Sequence, residues 1–136
     1  WKIWFERFIP FLKDGVILVG HSLGGCFLSK YLAIEDFPLK IKATFLVAAP
    51  FDLDQDHNLK DFVVPQDVRG FAQQGGKIVV YQSKDDHVVP FSEAEKYRNA
   101  LPHADVEYLE NRGHFNQEDF PELVEAIKAL SQESSS

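Results

Sequence analysis

Apolar residues in this chain fall into short continuous runs, separated by longer stretches in which they recur every three or four positions. The runs at residues 16–19, 43–48, 77–82 and 106–109 are rich in β-branched and aromatic side chains and predict strands. Residues 23–34, 92–101 and 121–130 carry the helical period. So do residues 1–12, with Trp4, Phe5, Phe8 and Leu12 on one face and Pro10 expected to disturb the end. Ser92 followed by Glu95 reads as a capping box, and Pro121 suits a first helical turn. Between residues 49 and 75 the pattern breaks into a long excursion. Strands alternating with helices predict an α/β domain, a three-layer α/β/α sandwich whose mostly parallel sheet is wound by right-handed crossovers. Unbroken apolar strands fit a sheet covered on both faces. The reading is one domain over residues 1–130 and a disordered polar tail at 131–136.

In such a sheet, sites collect at the carboxyl ends of the strands. The first strand ends in Gly20-His21-Ser22-Leu23-Gly24, just before a helix-compatible segment. A G-x-S-x-G pattern at a strand-to-helix junction forms a nucleophile elbow, with the serine at the tip, its dihedrals strained and its Oγ exposed. Gly20 and Gly24 are expected to be required, because a Cβ at either would meet neighbouring backbone. The Leu23 N–H, at the start of the helix, would point to a developing oxyanion. These five residues alone leave open a plain glycine-rich turn whose serine caps the helix.

A serine hydroxyl is a weak nucleophile and needs an imidazole to take its proton, and the imidazole needs a carboxylate to fix its tautomer. The strand at 77–82 runs into Ser83-Lys84-Asp85-Asp86-His87-Val88-Val89-Pro90, and the strand at 106–109 runs into Asn111-Arg112-Gly113-His114-Phe115. An acid therefore follows one strand and a histidine the next, with Asp85 and Asp86 both at the acid's place.

The segments GHSLGG, SKDDHVVPF and NRGHF together resemble the α/β-hydrolase superfamily, most closely its small retinoblastoma-binding protein 9 (YdeN-like) serine hydrolases, over residues 16–130. The order serine, acid, histidine is that of the superfamily. The resemblance implies Ser22 as nucleophile, His114 as base and Asp86 as acid. Asp86 fits the superfamily's G-x-x-D-x-x-V-P pattern, with Ser83 in the place of the glycine, and Asp85 becomes a solvated loop carboxylate or an Asx-turn residue. It also implies further strands ahead of residue 16 and a second oxyanion donor upstream of Trp1. On that reading the chain is an N-terminally incomplete hydrolase fold with an exposed apolar edge strand. The excursion at 49–75 falls where the superfamily places a cap. Phe51, Phe62, Val63, Val64 and Phe71 either line an acyl pocket there or form the core face of a sheet-covering helix, the second being the simpler reading.

Other candidates recede. His21 is expected to pack or hydrogen-bond locally, His87 lies too close to the acid to reach Ser22, and His57 and His103 sit in polar stretches. Asp52, Asp54 and Asp56 begin like a calcium loop, but His57 stands where the turn glycine belongs and Val63 where the bidentate glutamate belongs. No cysteine and histidine spacing suits zinc, and the expected chemistry needs no cofactor. The single cysteine, Cys26, excludes an internal disulfide and suits the cytosol. One helical turn beyond Ser22, it reads as a small packing residue rather than a redox thiol.

Of 136 residues, 45% are hydrophobic and twelve are Phe, enough for a substantial core. The formal charge of −7 would repel nucleic acid and anionic membranes. There is no apolar run near the ~20 residues of a membrane span, and no signal-peptide pattern. The sequence thus points to a cytoplasmic serine hydrolase of a small-molecule ester or amide. A non-catalytic module keeping the fold for a protein partner is the other reading, and a lyase or transferase using the same residues a narrower third.

Overall fold

A computed structural model describes residues 1–53 and 62–133. The elements in chain order are α1 (Lys2–Phe8), a 3-10 turn (Ile9–Phe11), β1 (Val16–His21), α2 (Leu23–Ile34), β2 (Ile41–Val47), α3 (Arg69–Gln74), β3 (Lys77–Ser83), α4 (Ser92–Ala100), β4 (Asp105–Leu109) and α5 (Pro121–Glu133). The four strands form one parallel sheet in the order β1-β2-β3-β4.

That order explains the layers. A sheet that grows one strand at a time in one direction, through right-handed crossovers, puts every crossover helix on the same face. Leu28 and Leu32 of α2, Phe71 of α3 and Tyr97 of α4 indeed share one core cluster with Leu18, Ile78 and Val80. The opposite face holds Phe45, Val47, Val79 and Tyr81, and α5 covers it with Leu123, Ala126, Ile127 and Leu130. Neighbours along β3 alternate between the clusters, Ile78 and Val80 on one face, Val79 and Tyr81 on the other. This is why the strand reads as a continuous apolar run. Each of the large side chains fully buried here contributes about 1.5–3 kcal/mol by leaving water.

The structure corrects several expectations. The buried side of α1 is formed by Phe5, with Ile9 and Leu12 after it, whereas Trp4 and Phe8 are exposed. Pro10 ends the α-helix as expected, by way of the 3-10 turn. No capping box forms. Phe91 is the N-cap of α4, no side chain caps it, and Glu95 accepts a hydrogen bond from the Tyr108 hydroxyl instead. Helix α5 continues through Ser131, Gln132 and Glu133, three residues into the expected tail. Within the excursion, Phe51, Val64 and Phe71 are buried in the core cluster, and Phe62 packs half-buried against it. His57, most of the aspartate run beginning at Asp52, and residues 134–136 lie outside the described residues. Among the described residues, no helix is long and apolar enough to cross a membrane.

Candidate active site

Ser22 lies between the end of β1 and the start of α2, with φ 56° and ψ −122°, a conformation that L-residues rarely adopt. Its N–H donates to the Val47 carbonyl at 2.8 Å, which fixes the turn against the end of β2. Close packing of α2 on β1 explains the glycines, though not both of the expected ones. A Cβ on Gly20 would lie 2.5 Å from the Gly25 Cα, and one on Gly25 would lie 2.6 Å from the Ala49 Cβ. Gly24 has nothing within 4 Å of its Cβ position, so the constraint falls on Gly20 and Gly25.

His114 stands past β4 in a turn where Asn111, Gly113 and Phe115 have φ of 59°, 55° and 56°. Its Nε2 is 3.0 Å from Ser22 Oγ, and its Nδ1 is 2.9 Å from Asp86 Oδ2. Three residues separated by up to 92 positions thus join in one hydrogen-bonded line across the carboxyl ends of β1, β3 and β4. The carboxylate sets the tautomer. Nδ1–H donates to Asp86, which leaves the Nε2 lone pair to accept the Ser22 hydroxyl proton.

Asp86 is held as an anion. Its side chain is fully shielded from solvent, and burial alone would raise its pKa. Hydrogen bonds from His114, the Val89 and Val88 amides and Gln82 outweigh that and hold the pKa below the usual carboxylate value. The Val88 and Val89 amides reach Oδ1 at 2.8 and 2.9 Å, and Gln82 Nε2 reaches Oδ2 at 3.1 Å.

Asp85 points elsewhere, accepting from the Gly113 N–H at 3.1 Å and from the Ser83 hydroxyl. Leu23 follows Ser22 as the first residue of α2, so its N–H is among the donors at the helix's positive end that have no partner within the helix. His87 and His103 are exposed. Cys26 is fully buried against the Phe62 carbonyl, and burial pushes its thiol up to about 12, which leaves it protonated and unreactive.

Two contributors escaped the sequence reading. His21 is not a local packing residue, because its Nε2–H donates to the His114 carbonyl at 2.7 Å and the two rings lie 4.9 Å apart. Gln82, fully buried at the end of an apolar strand, donates to Asp86 and to the Val89 carbonyl at 2.8 Å. A polar residue at the carboxyl end of a run otherwise made for the core was the available signal. Phe62 lines a cavity of about 310 Å³ with Trp1, Phe27, Tyr31 and Ile34, and none of Ser22, Asp86 or His114 borders it.

A family model described as serine hydrolase matches residues 1–132. The chain belongs to the serine hydrolase family. Solved structures agree on the fold of this serine hydrolase family member. The ydeN gene product of B. subtilis is similar at a TM-score of 0.80 and 20% identity, over 94% of this chain and 72% of that one. An α/β-hydrolase enzyme from a metagenome of lagoon sediments at Mar Chica, Morocco, gives a TM-score of 0.63 and 21% identity, over 98% and 68%. A structure from work on carboxylesterases of Nitrososphaera gargenis gives 0.71 and 14%, over 95% and 71%. No curated protein sequence matches the chain. The family member therefore has an α/β-hydrolase fold, its parallel sheet flanked by helices on both faces.

Proposed function

We propose that this protein hydrolyses a small carboxylic ester or amide through an acyl-enzyme on Ser22. One observation carries the reading: the line from Ser22 Oγ through both nitrogens of His114 to Asp86, with both contacts at hydrogen-bond length. As Ser22 Oγ attacks the substrate carbonyl carbon, its proton passes to His114 Nε2. The carbonyl oxygen becomes an oxyanion, which the Leu23 N–H stabilises. His114 then gives its proton to the departing alcohol or amine, and the carbon–heteroatom bond breaks. In the second half, water gives a proton to His114 and attacks the acyl carbon, and the carboxylic acid leaves as Ser22 regains its proton. Asp86 stays ionised throughout and stabilises the imidazolium.

An ester substrate is supported by the carboxylesterases named with one of the similar structures. The cytosol suits a chain whose single cysteine is a buried thiol.

The test is labelling by a fluorophosphonate probe. The parent protein is expected to label and Ser22→Ala not to, and His114→Ala is expected to lower turnover of a short-chain ester by at least about 10³-fold. A folded parent that fails to label would overturn the hydrolase reading in favour of a binding module built on the same fold.

A further inference from the structure

The turn bearing His114 has no regular secondary structure of its own. It leaves β4 at Leu109, passes through three left-handed residues and reaches α5 at Pro121. Left-handed conformations at Asn111 and Phe115 cost energy, so contacts from outside the turn have to hold them. Those contacts come largely from the last residue of β3 and the loop after it. The Ser83 Oγ is fully buried where it accepts the Arg112 N–H at 3.1 Å, and its own proton goes to Asp85 Oδ1 at 2.5 Å. The same Asp85 oxygen accepts the Gly113 N–H at 3.1 Å. Two consecutive amides immediately before His114 are therefore captured by one hydroxyl and one carboxylate, and these two side chains are bonded to each other.

We propose that Ser83 and Asp85 form a positioning pair for His114, fixing the backbone of residues 112–113 so that the imidazole stands between Asp86 and Ser22. The pair acts through the turn and touches neither the ring nor the reacting atoms. This gives Asp85, the first aspartate of the Asp85-Asp86 doublet, a role that Asp86 does not share. One carboxylate orients the ring through Nδ1, and the other orients the peptide that carries the ring. It also accounts for a serine at position 83. A glycine there would offer the Arg112 amide no acceptor and would leave Asp85 with one donor fewer. The Asp85 carboxyl is held below its usual value by the Ser83 hydroxyl and the Gly113 amide, so it is ionised at neutral pH, when the base must work.

The inference rests on the proposed hydrolase reading, and two measurements keep them apart. The first is the rate of fluorophosphonate labelling for the full chain, for Asp85→Ala, and for Asp85→Asn, whose amide oxygen can still accept from Gly113 and Ser83. Asp85 is exposed, so neither change leaves a cavity, and both variants are expected to stay folded, as circular dichroism checks. A displacement of about 1 Å in a catalytic group costs on the order of 10²-fold. Asp85→Ala is expected to label roughly 10- to 100-fold more slowly than the parent, and Asp85→Asn within about threefold of it.

The second measurement is the downfield proton resonance of His114 Nδ1–H in the unlabelled protein, which reports the bond to Asp86 whether or not Ser22 reacts. It is expected to shift or broaden in Asp85→Ala and to be restored in Asp85→Asn. Ser83→Ala should repeat the Asp85→Ala result in both measurements. Parent-like labelling and an unmoved resonance in Asp85→Ala would overturn the positioning pair. A parent that shows the resonance but never labels would overturn the hydrolase reading, and the resonance of the variants would still decide the pair.

Discussion

Asp86 depends on the residues around it more than its sequence motif suggests. A buried carboxylate without donors would be expensive, and this one keeps its charge because His114, two backbone amides and Gln82 all point at it. Gln82 does double work, since the same amide group also caps the Val89 carbonyl and so shapes the loop that presents Asp86. Replacing Gln82 by Met keeps the volume but removes the donor, and two buried oxygens then lose a partner. We expect a loss of about 1–3 kcal/mol, or roughly 3–11 °C in melting temperature. The labelling rate should fall as well, because the loop holding the acid loosens. A Gln82→Met protein that melts with the parent would show that the Gln82 contacts add nothing net. Neither Gln82 nor His21 could be assigned from the sequence. His21 makes its contact with a segment that only the folded sheet brings near, 93 residues away, whereas the partners of Gln82, four and seven residues on, meet it only because the loop after β3 folds back over the strand end. The Ser22, Asp86 and His114 positions were legible because each follows a strand, and a parallel sheet delivers all its strand ends to one edge.

At the scale of the elements, the periodicity located every strand and the main helices but not how they meet. The helical pattern at 23–34 coincides with α2 end to end. Its apolar residues gave no indication that Gly25 rather than Gly24 lies against β1 and the start of the excursion. That distinction depends on the direction in which α2 leaves the turn at Ser22, which local sequence does not encode. The same limit explains α1, where four apolar side chains fit one helical stripe but the surface actually covered is that of Phe5, Ile9 and Leu12. The capping box failed for a similar reason. Ser92 is already inside α4, and Glu95 finds a tertiary partner in Tyr108. The glycine assignment gives a paired test. Gly25→Ala puts a methyl group 2.6 Å from the Ala49 Cβ and should cost about 1–3 kcal/mol. Gly24→Ala meets open space on a helix and should be neutral or slightly stabilising. Equal melting temperatures for the two variants would contradict the packing of α2 described above.

Across the whole molecule, acid should dismantle the site and the fold by the same route. The segment from the end of β4 to α5 is tied down largely through carboxylates. Asp86 holds His114, Asp85 holds Gly113, and Glu122 pairs with Arg112. All three carboxyls lie below their ordinary values in the folded protein. For Asp86, four sets of hydrogen bonds overcome burial. For Asp85 the Ser83 hydroxyl leads, and for Glu122 its own backbone amide leads, followed by the Arg112 guanidinium. A group whose folded pKa is depressed stabilises the native state fully above its unfolded value, and that stability disappears as the pH falls through the folded value. Asp86 is the best shielded of the three and should dominate, because solvent screens the exposed Asp85 and the half-exposed Glu122. The parent and Asp86→Asn should therefore differ by a constant amount in stability near neutrality, with the parent more stable. The gap should close as the pH drops below about 3.8, the ordinary value for an aspartate. Precipitation near the isoelectric point of about 5.1 falls in a higher and separate window, so circular dichroism read together with light scattering distinguishes lost solubility from lost structure. A gap that persists unchanged to pH 3 would mean that the Asp86 charge contributes nothing to folding, and that its hydrogen bonds serve the orientation of His114 alone.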